Sequence, residues 1–129
     1  MNDQPTPGDG YWYMAGPYSD NIEERYQQHL NAVSVLTRAK LTIYSPIVHY
    51  HMVAQVFNMP TNAAFWNEHN YNMILPSRGV ILLCLTNWAD SKGVRSELNF
   101  SRDKGVPVWA LDPPIYQGTE VNLVWTRMI

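Results

Sequence analysis

A single cysteine, Cys84, is all that this chain of 129 residues carries, so no intrachain disulfide is open to it. Cys84 lies inside an apolar run and reads as a small buried hydrophobe, which fits a reducing cytoplasm. Basic residues are also few. Nine Lys and Arg against 11 Asp and Glu leave a net charge of -2 and a pI near 6.0, so there is no cationic footprint for a nucleic-acid backbone. Polymeric DNA and RNA are therefore not expected partners. No apolar run approaches the roughly eighteen residues that span a bilayer, and MNDQPTPGDG has neither a charged n-region nor an apolar h-region. A soluble, cytoplasmic protein without membrane contact is expected. GxGxxG and Walker patterns are missing as well, which removes dinucleotide dehydrogenases and P-loop NTPases. His49, His51 and His69 lack a nearby acid or cysteine in a metal-binding spacing, so neither a metal nor a cofactor is expected.

What the chain has in quantity is apolar and aromatic surface: 46% of residues are hydrophobic and 16% charged, with 5 Trp and 8 Tyr. Such a chain folds, and its length suits one domain. Residues 1–9, polar and rich in Pro and Gly, read as a flexible arm, and residues 10–129 as a single α/β domain. YWYMAG is a short strand stopped at Gly16-Pro17. After Ser19 or Asp20, either able to cap, Ile22, Tyr26, His29 or Leu30, Val33 and Leu36 recur at helical spacing through Ala39. LTIYSPI is a second strand ended by Pro46, and HYHMVAQVF is open between loop and short helix. Asn62 to Leu75 is helical, with Pro76 as its stop. GVILLCL is almost continuously apolar, the mark of a strand covered on both faces in the middle of a parallel sheet. Gly93 to Lys104 is helical, Gly105 supplies a C-terminal stop, and VPVWAL is a further strand. Strands alternating with helices imply a small doubly wound, mainly parallel, flavodoxin- or Rossmann-like sheet, with its ligand beyond the strands' carboxyl ends.

The turn NWADSKG then falls at the carboxyl end of the central strand and opens the next helix toward that cleft. A helix N-terminus attracts anions, and Gly93 lets a ligand approach the backbone. Lys92 and Arg95 add positive charge, and Glu97 follows Gly93 by four residues on the same side of the helix. An anion held at the turn would bring the rest of its molecule to that carboxylate. Position alone favours a plainer reading: Ser91 as a simple cap, and Glu97 as a solvated first-turn acid favoured by the helix dipole.

Three segments together, Tyr13-Met14-Ala15-Gly16-Pro17-Tyr18, Ser91-x-Gly93-x-x-x-Glu97 and Asn122-Leu123-Val124-Trp125, resemble the nucleoside 2-deoxyribosyltransferase-like superfamily in order and approximate spacing. The nearest likeness is a small bacterial and phage branch of unknown function. The resemblance implies that Glu97 is a nucleophile attacking the anomeric carbon of a nucleotide, and Tyr13 and Asn70 are the further catalytic candidates, Tyr13 also being able to stack a base. It implies that Gly16, Tyr18, His49, Ser91 and Gly93 line the substrate, and that Asn122 reaches a neighbouring subunit's site in a homodimer or higher homo-oligomer. The serine favours a nucleoside 5′-monophosphate, because an aspartate there would repel phosphate. One departure matters: where the family places an aspartate before the central strand, this chain has Asn70 or Asn72, and Arg78 stands near the place of a second acid. An amide cannot deliver a proton at neutral pH, although His69 or Glu68 could substitute. The expected activity is N-glycosidase or deoxyribosyltransferase. The alternative is a catalytically silent nucleotide-binding module.

Overall fold

The computed structural model describes residues 4–113, 115–117 and 120–129. Its centre is a five-stranded sheet built from β1 (Trp12–Ala15), β2 (Ile43–Tyr44), β3 (Val80–Leu83), β4 (Val108–Leu111) and β7 (Trp125–Arg127), in the order β2-β1-β3-β4-β7. β1 pairs in parallel with β2 and β3, and β3 with β4, whereas β7 closes the edge antiparallel to β4. A separate hairpin pairs β5 (Ile115–Gln117) with β6 (Glu120–Asn122). Four helices flank the sheet: α1 (Ile22–Arg38), α2 (Pro46–Phe57), α3 (Ala63–Ile74) and α4 (Lys92–Lys104). This is the mostly parallel, doubly wound α/β architecture expected from GVILLCL and the alternating pattern.

Alternation along the strands divides the core in two. Trp12, Met14, Ile81 and Leu83 turn toward Ala32 and Leu36 of α1. Tyr13, Ala15, Val80 and Leu82 turn toward Ile74 of α3 and Val94 of α4. All four residues of β3 are buried, as a central strand requires. The strand order reverses between β1 and β3, and such a switch point opens a crevice at the strands' carboxyl ends.

Several local expectations change. HYHMVAQVF is helical: Ser45 accepts the Val48 N–H at 3.2 Å and Pro46 occupies the first turn, where its missing N–H costs nothing. Pro46 thus ends β2 by starting α2. The cap of α1 is Asn21, not Ser19 or Asp20; Asp20 instead forms a two-pronged pair with Arg25. Within the described part of the arm, Pro5 and Thr6 are held against the domain. Pro5 is buried, and the Thr6 carbonyl accepts hydrogen bonds from Trp12 Nε1 at 3.2 Å and Arg78 Nη1 at 2.6 Å. Arg78 also lies 4.6 Å over the Trp12 ring, which accounts for a cation where an acid was expected. Residues 1–3 of the arm, and Gly118 and Thr119 of the tail, lie outside the described residues. Leu123 and Trp125 pack on their own core, so much of the tail's apolar surface is covered within the chain.

Candidate functional site

The crevice at the switch point holds a cavity of about 660 Å³, within the size range of small-molecule sites. Its walls come from four places: the turn after β1, the inner face of α2, the start of α3 and the start of α4. Among the described residues no group of three His, Cys, Asp or Glu side chains could hold a metal ion, and no helix is long and apolar enough to cross a membrane.

Glu97 lies at the cavity wall, on the second turn of α4. Ser91 caps the helix, accepting the Val94 N–H at 3.2 Å, and both Ser91 and Gly93 line the same wall. Lys92 and Gly93 stand at positions whose N–H groups have no intrahelical acceptor, so this end of the cavity suits an anion. Glu97 itself is only 6% exposed, and its Oε2 has no hydrogen-bond partner. The reading as a solvated first-turn acid therefore fails. Burial pushes the Glu97 carboxyl up to about 7, opposed in part by the Tyr13 hydroxyl. Tyr13 is wholly buried; burial raises its phenol well above the usual range, and the Glu97 charge raises it further. The two groups sense one another, yet the Tyr13 hydroxyl makes no hydrogen bond of ordinary geometry. A buried carboxyl and phenol left this way are costly to stability.

Gly93 presents no side chain to this space. A Cβ there would sit 3.9 Å from Glu97 Oε1 and 3.6 Å from Ala63 Cβ, room enough for a methyl but in front of the carboxyl. Gly16 answers a tighter demand, because a Cβ would come within 2.5 Å of His29 Cε1. His29 is buried and donates from Nε2 to the Pro17 carbonyl at 3.2 Å, holding the turn that lines the cavity. Burial lowers its imidazole to about 4, so it is neutral there.

Asn70, not Asn72, reaches the cavity, and its Oδ1 is buried without a partner. Asn72 is exposed. Neither substitute for the missing acid is present at the wall: Glu68 is exposed, and His69 is hydrogen-bonded to the Tyr44 hydroxyl at 3.0 Å. Tyr50 and Trp66, with ring centroids 4.9 Å apart, form an aromatic stretch of the lining. Asp20 and Asp90 also lie on the lining, with Lys92. The charge of Asp20 is met by Arg25 at 2.9 Å, which holds its carboxyl below the ordinary range.

Two expected residues stand elsewhere. His49 is exposed, its ring against Tyr50, and is not part of the lining; His51 is. Residues two apart on a helix point roughly 200° from each other, so only one of the pair can face inward. Reading Ser45-Pro46 as a helix start would have exposed the choice. Asn122 is also exposed, on β6, and does not line this cavity.

His51 is 3% exposed and has three neighbours. The Tyr18 hydroxyl is 2.8 Å from Nδ1, Glu23 Oε2 is 3.4 Å from Nε2, and the Tyr26 ring stacks at 3.7 Å. Tyr18 also lines the cavity, as expected.

No curated protein matches the chain. A family model described as a domain of unknown function, DUF1937, matches residues 10–112, and the chain belongs to that family.

Proposed function

We propose that this protein cleaves the N-glycosidic bond of a nucleoside 5′-monophosphate, with Glu97 as the nucleophile, as its resemblance to the nucleoside 2-deoxyribosyltransferase-like superfamily implies. The observation that carries the reading is the Glu97 carboxyl: buried, without a partner at Oε2, and on the cavity wall just beyond a helix start suited to an anion. The phosphate sits at Ser91 to Gly93, which brings the sugar to Glu97. Attack at the anomeric carbon forms a glycosyl ester and expels the base. Tyr50 and Trp66 offer the base an aromatic surface, and the Asn70 amide hydrogen-bonds its edge. Water resolves the ester in a hydrolase; a second base does so in a transferase. With a carboxyl poised at about 7, roughly half the enzyme carries the nucleophile at neutral pH.

The test is a panel of ribo- and deoxyribonucleoside monophosphates incubated with the protein, followed by chromatography for free base. Wild type should release base from at least one, and Glu97→Ala should not. Silence across the panel, or Glu97→Ala matching wild type, refutes the reading.

The resemblance carries a homodimer with it, in which Asn122 completes another subunit's site. Mixing Glu97→Ala with Asn122→Ala chains should then restore part of the activity, and a monomer in sedimentation that still cleaves nucleotide refutes the shared site.

A second reading, a nucleotide-binding module without catalysis, is favoured by the amide of Asn70 where an acid is expected. Calorimetric binding of a monophosphate with no turnover over many hours would select it.

A further inference from the structure

The amide at Asn70 leaves the departing base without a proton donor, and the proposed reaction needs one. The same lining supplies a chain of polar groups, of which only Tyr18 was expected at the site. His51, on the inner face of α2, is buried between the turn after β1 and the first turns of α1. Its two ring nitrogens are both engaged, Nδ1 with the Tyr18 hydroxyl at 2.8 Å and Nε2 with Glu23 Oε2 at 3.4 Å. The Tyr26 ring stacked at 3.7 Å fixes the plane of the imidazole. The Glu23 side chain is 74% exposed and Tyr18 lines the cavity, so the chain links solvent, through an oriented imidazole, to the cavity wall.

We propose that Tyr18 is the group that protonates the departing base, and that His51 and Glu23 are positioning residues that recharge it. This rests on the glycosidase reading above. With His51 protonated, Nδ1–H donates to the Tyr18 oxygen and the Tyr18 proton is free to point into the cavity. As Glu97 bonds to the anomeric carbon, the C–N bond breaks with its electron pair on the base. Tyr18 gives its proton to the base and takes one from His51 Nδ1, which leaves the imidazole neutral. Water then attacks the glycosyl ester, the C–O bond to Glu97 breaks, and the water's proton returns through Tyr18 to His51. The cycle consumes one nucleotide and one water and releases base and sugar phosphate, with the relay restored. Glu23 Oε2, 3.4 Å from Nε2, stands behind the ring in the manner of the carboxylate behind a catalytic histidine. Asp20 in the turn after β1 and Arg25 on α1 are paired with each other. Burial and the Glu23 charge both keep the Tyr18 phenol protonated.

The experiment compares two leaving groups in the first turnover. A nucleoside monophosphate needs its base protonated, whereas a 4-nitrophenyl riboside 5′-phosphate releases a stable anion unaided. Tyr18→Phe and His51→Gln should each slow base release by about a hundredfold, the typical worth of a general acid, with KM within about threefold of wild type. The same variants should slow nitrophenolate release no more than about threefold, because that bond needs no acid. Glu23→Gln, at a side chain 74% exposed, should show the same selectivity for the nucleotide with a smaller loss. Equal loss on both substrates in all three variants overturns the relay and makes these residues structural. Full base release by Tyr18→Phe overturns it as well. If wild type releases neither base nor nitrophenolate, the glycosidase reading fails and takes the relay with it; if wild type releases both and only the selectivity is missing, the relay alone fails.

Discussion

Replacing Glu97 by Gln should stabilise the protein, and the gain should grow with pH. The side chain is 6% exposed and its carboxyl is raised from 4.5 to about 7 by burial. Between those values the native state binds a proton that the unfolded chain has already released, so stability falls as pH rises across the window. At one pKa unit per ~1.4 kcal/mol, ionisation of this single group removes about 2 to 3 kcal/mol between pH 5 and pH 8. Gln has nearly the shape of the protonated acid and no charge to bury. Urea unfolding of wild type and Glu97→Gln at pH 5, 6, 7 and 8 gives the difference in stability at each pH, and every other titration cancels from it. The difference should be small at pH 5 and favour the variant by about 2 kcal/mol at pH 8. A difference that does not change with pH would mean that Glu97 is not a buried, raised carboxyl, and would remove the physical basis for its role as a poised nucleophile.

Acid should act in the opposite sense through His29. Lowered from 6.5 to about 4, it contributes stability that is present above pH 6.5 and lost as pH falls through 4, by about 3 kcal/mol; in Glu97→Gln, where the opposing slope is absent, urea titrations should show it directly, and a flat profile would contradict it. Gly93→Ala should fold as well as wild type or better, by up to about 1 kcal/mol in melting experiments, because the new methyl meets only ordinary contacts and alanine favours the helix. The same methyl stands 3.9 Å from Glu97 Oε1, so nucleotide binding by calorimetry should weaken; unchanged binding would move the ligand away from this wall. Gly16→Ala should cost about 2 kcal/mol or more in thermal stability, since its Cβ cannot coexist with the buried His29 ring at 2.5 Å; a variant as stable as wild type would show that the ring gives way freely.

The local elements were legible because each is written in short-range chemistry. GVILLCL has no polar interruption, and a strand with that composition is stable only with both faces covered, which already implied a central place in a parallel sheet. Ser91, Gly93 and Glu97 stood in the correct relation to a helix start before any coordinates, because capping and helical spacing act over a few residues. The first turn of α2 is equally local but carries two meanings: Ser45-Pro46 is a strand's end and also a helix's beginning. That one reading decided between His49 and His51, because a helix separates them by half a turn.

Other features depend on groups far apart in the chain. Burial of Glu97 arises where α4 meets Tyr13 of β1, 84 positions earlier by number, and no pattern around Glu97 announces it. Arg78 stands near the place of an expected acid, and only the fold brings Thr6 and Trp12 to hold it. Tyr18, Glu23 and His51 come from the turn after β1, α1 and α2, and only the packing of α2 on α1 joins them. Hydrophobic period, caps and turn residues act within a few positions and so specified the elements, their order and the sheet's class. Desolvation and partnering of a polar group depend on every atom within a few ångströms, whichever part of the chain supplies it, and those were decided only when the chain closed on itself.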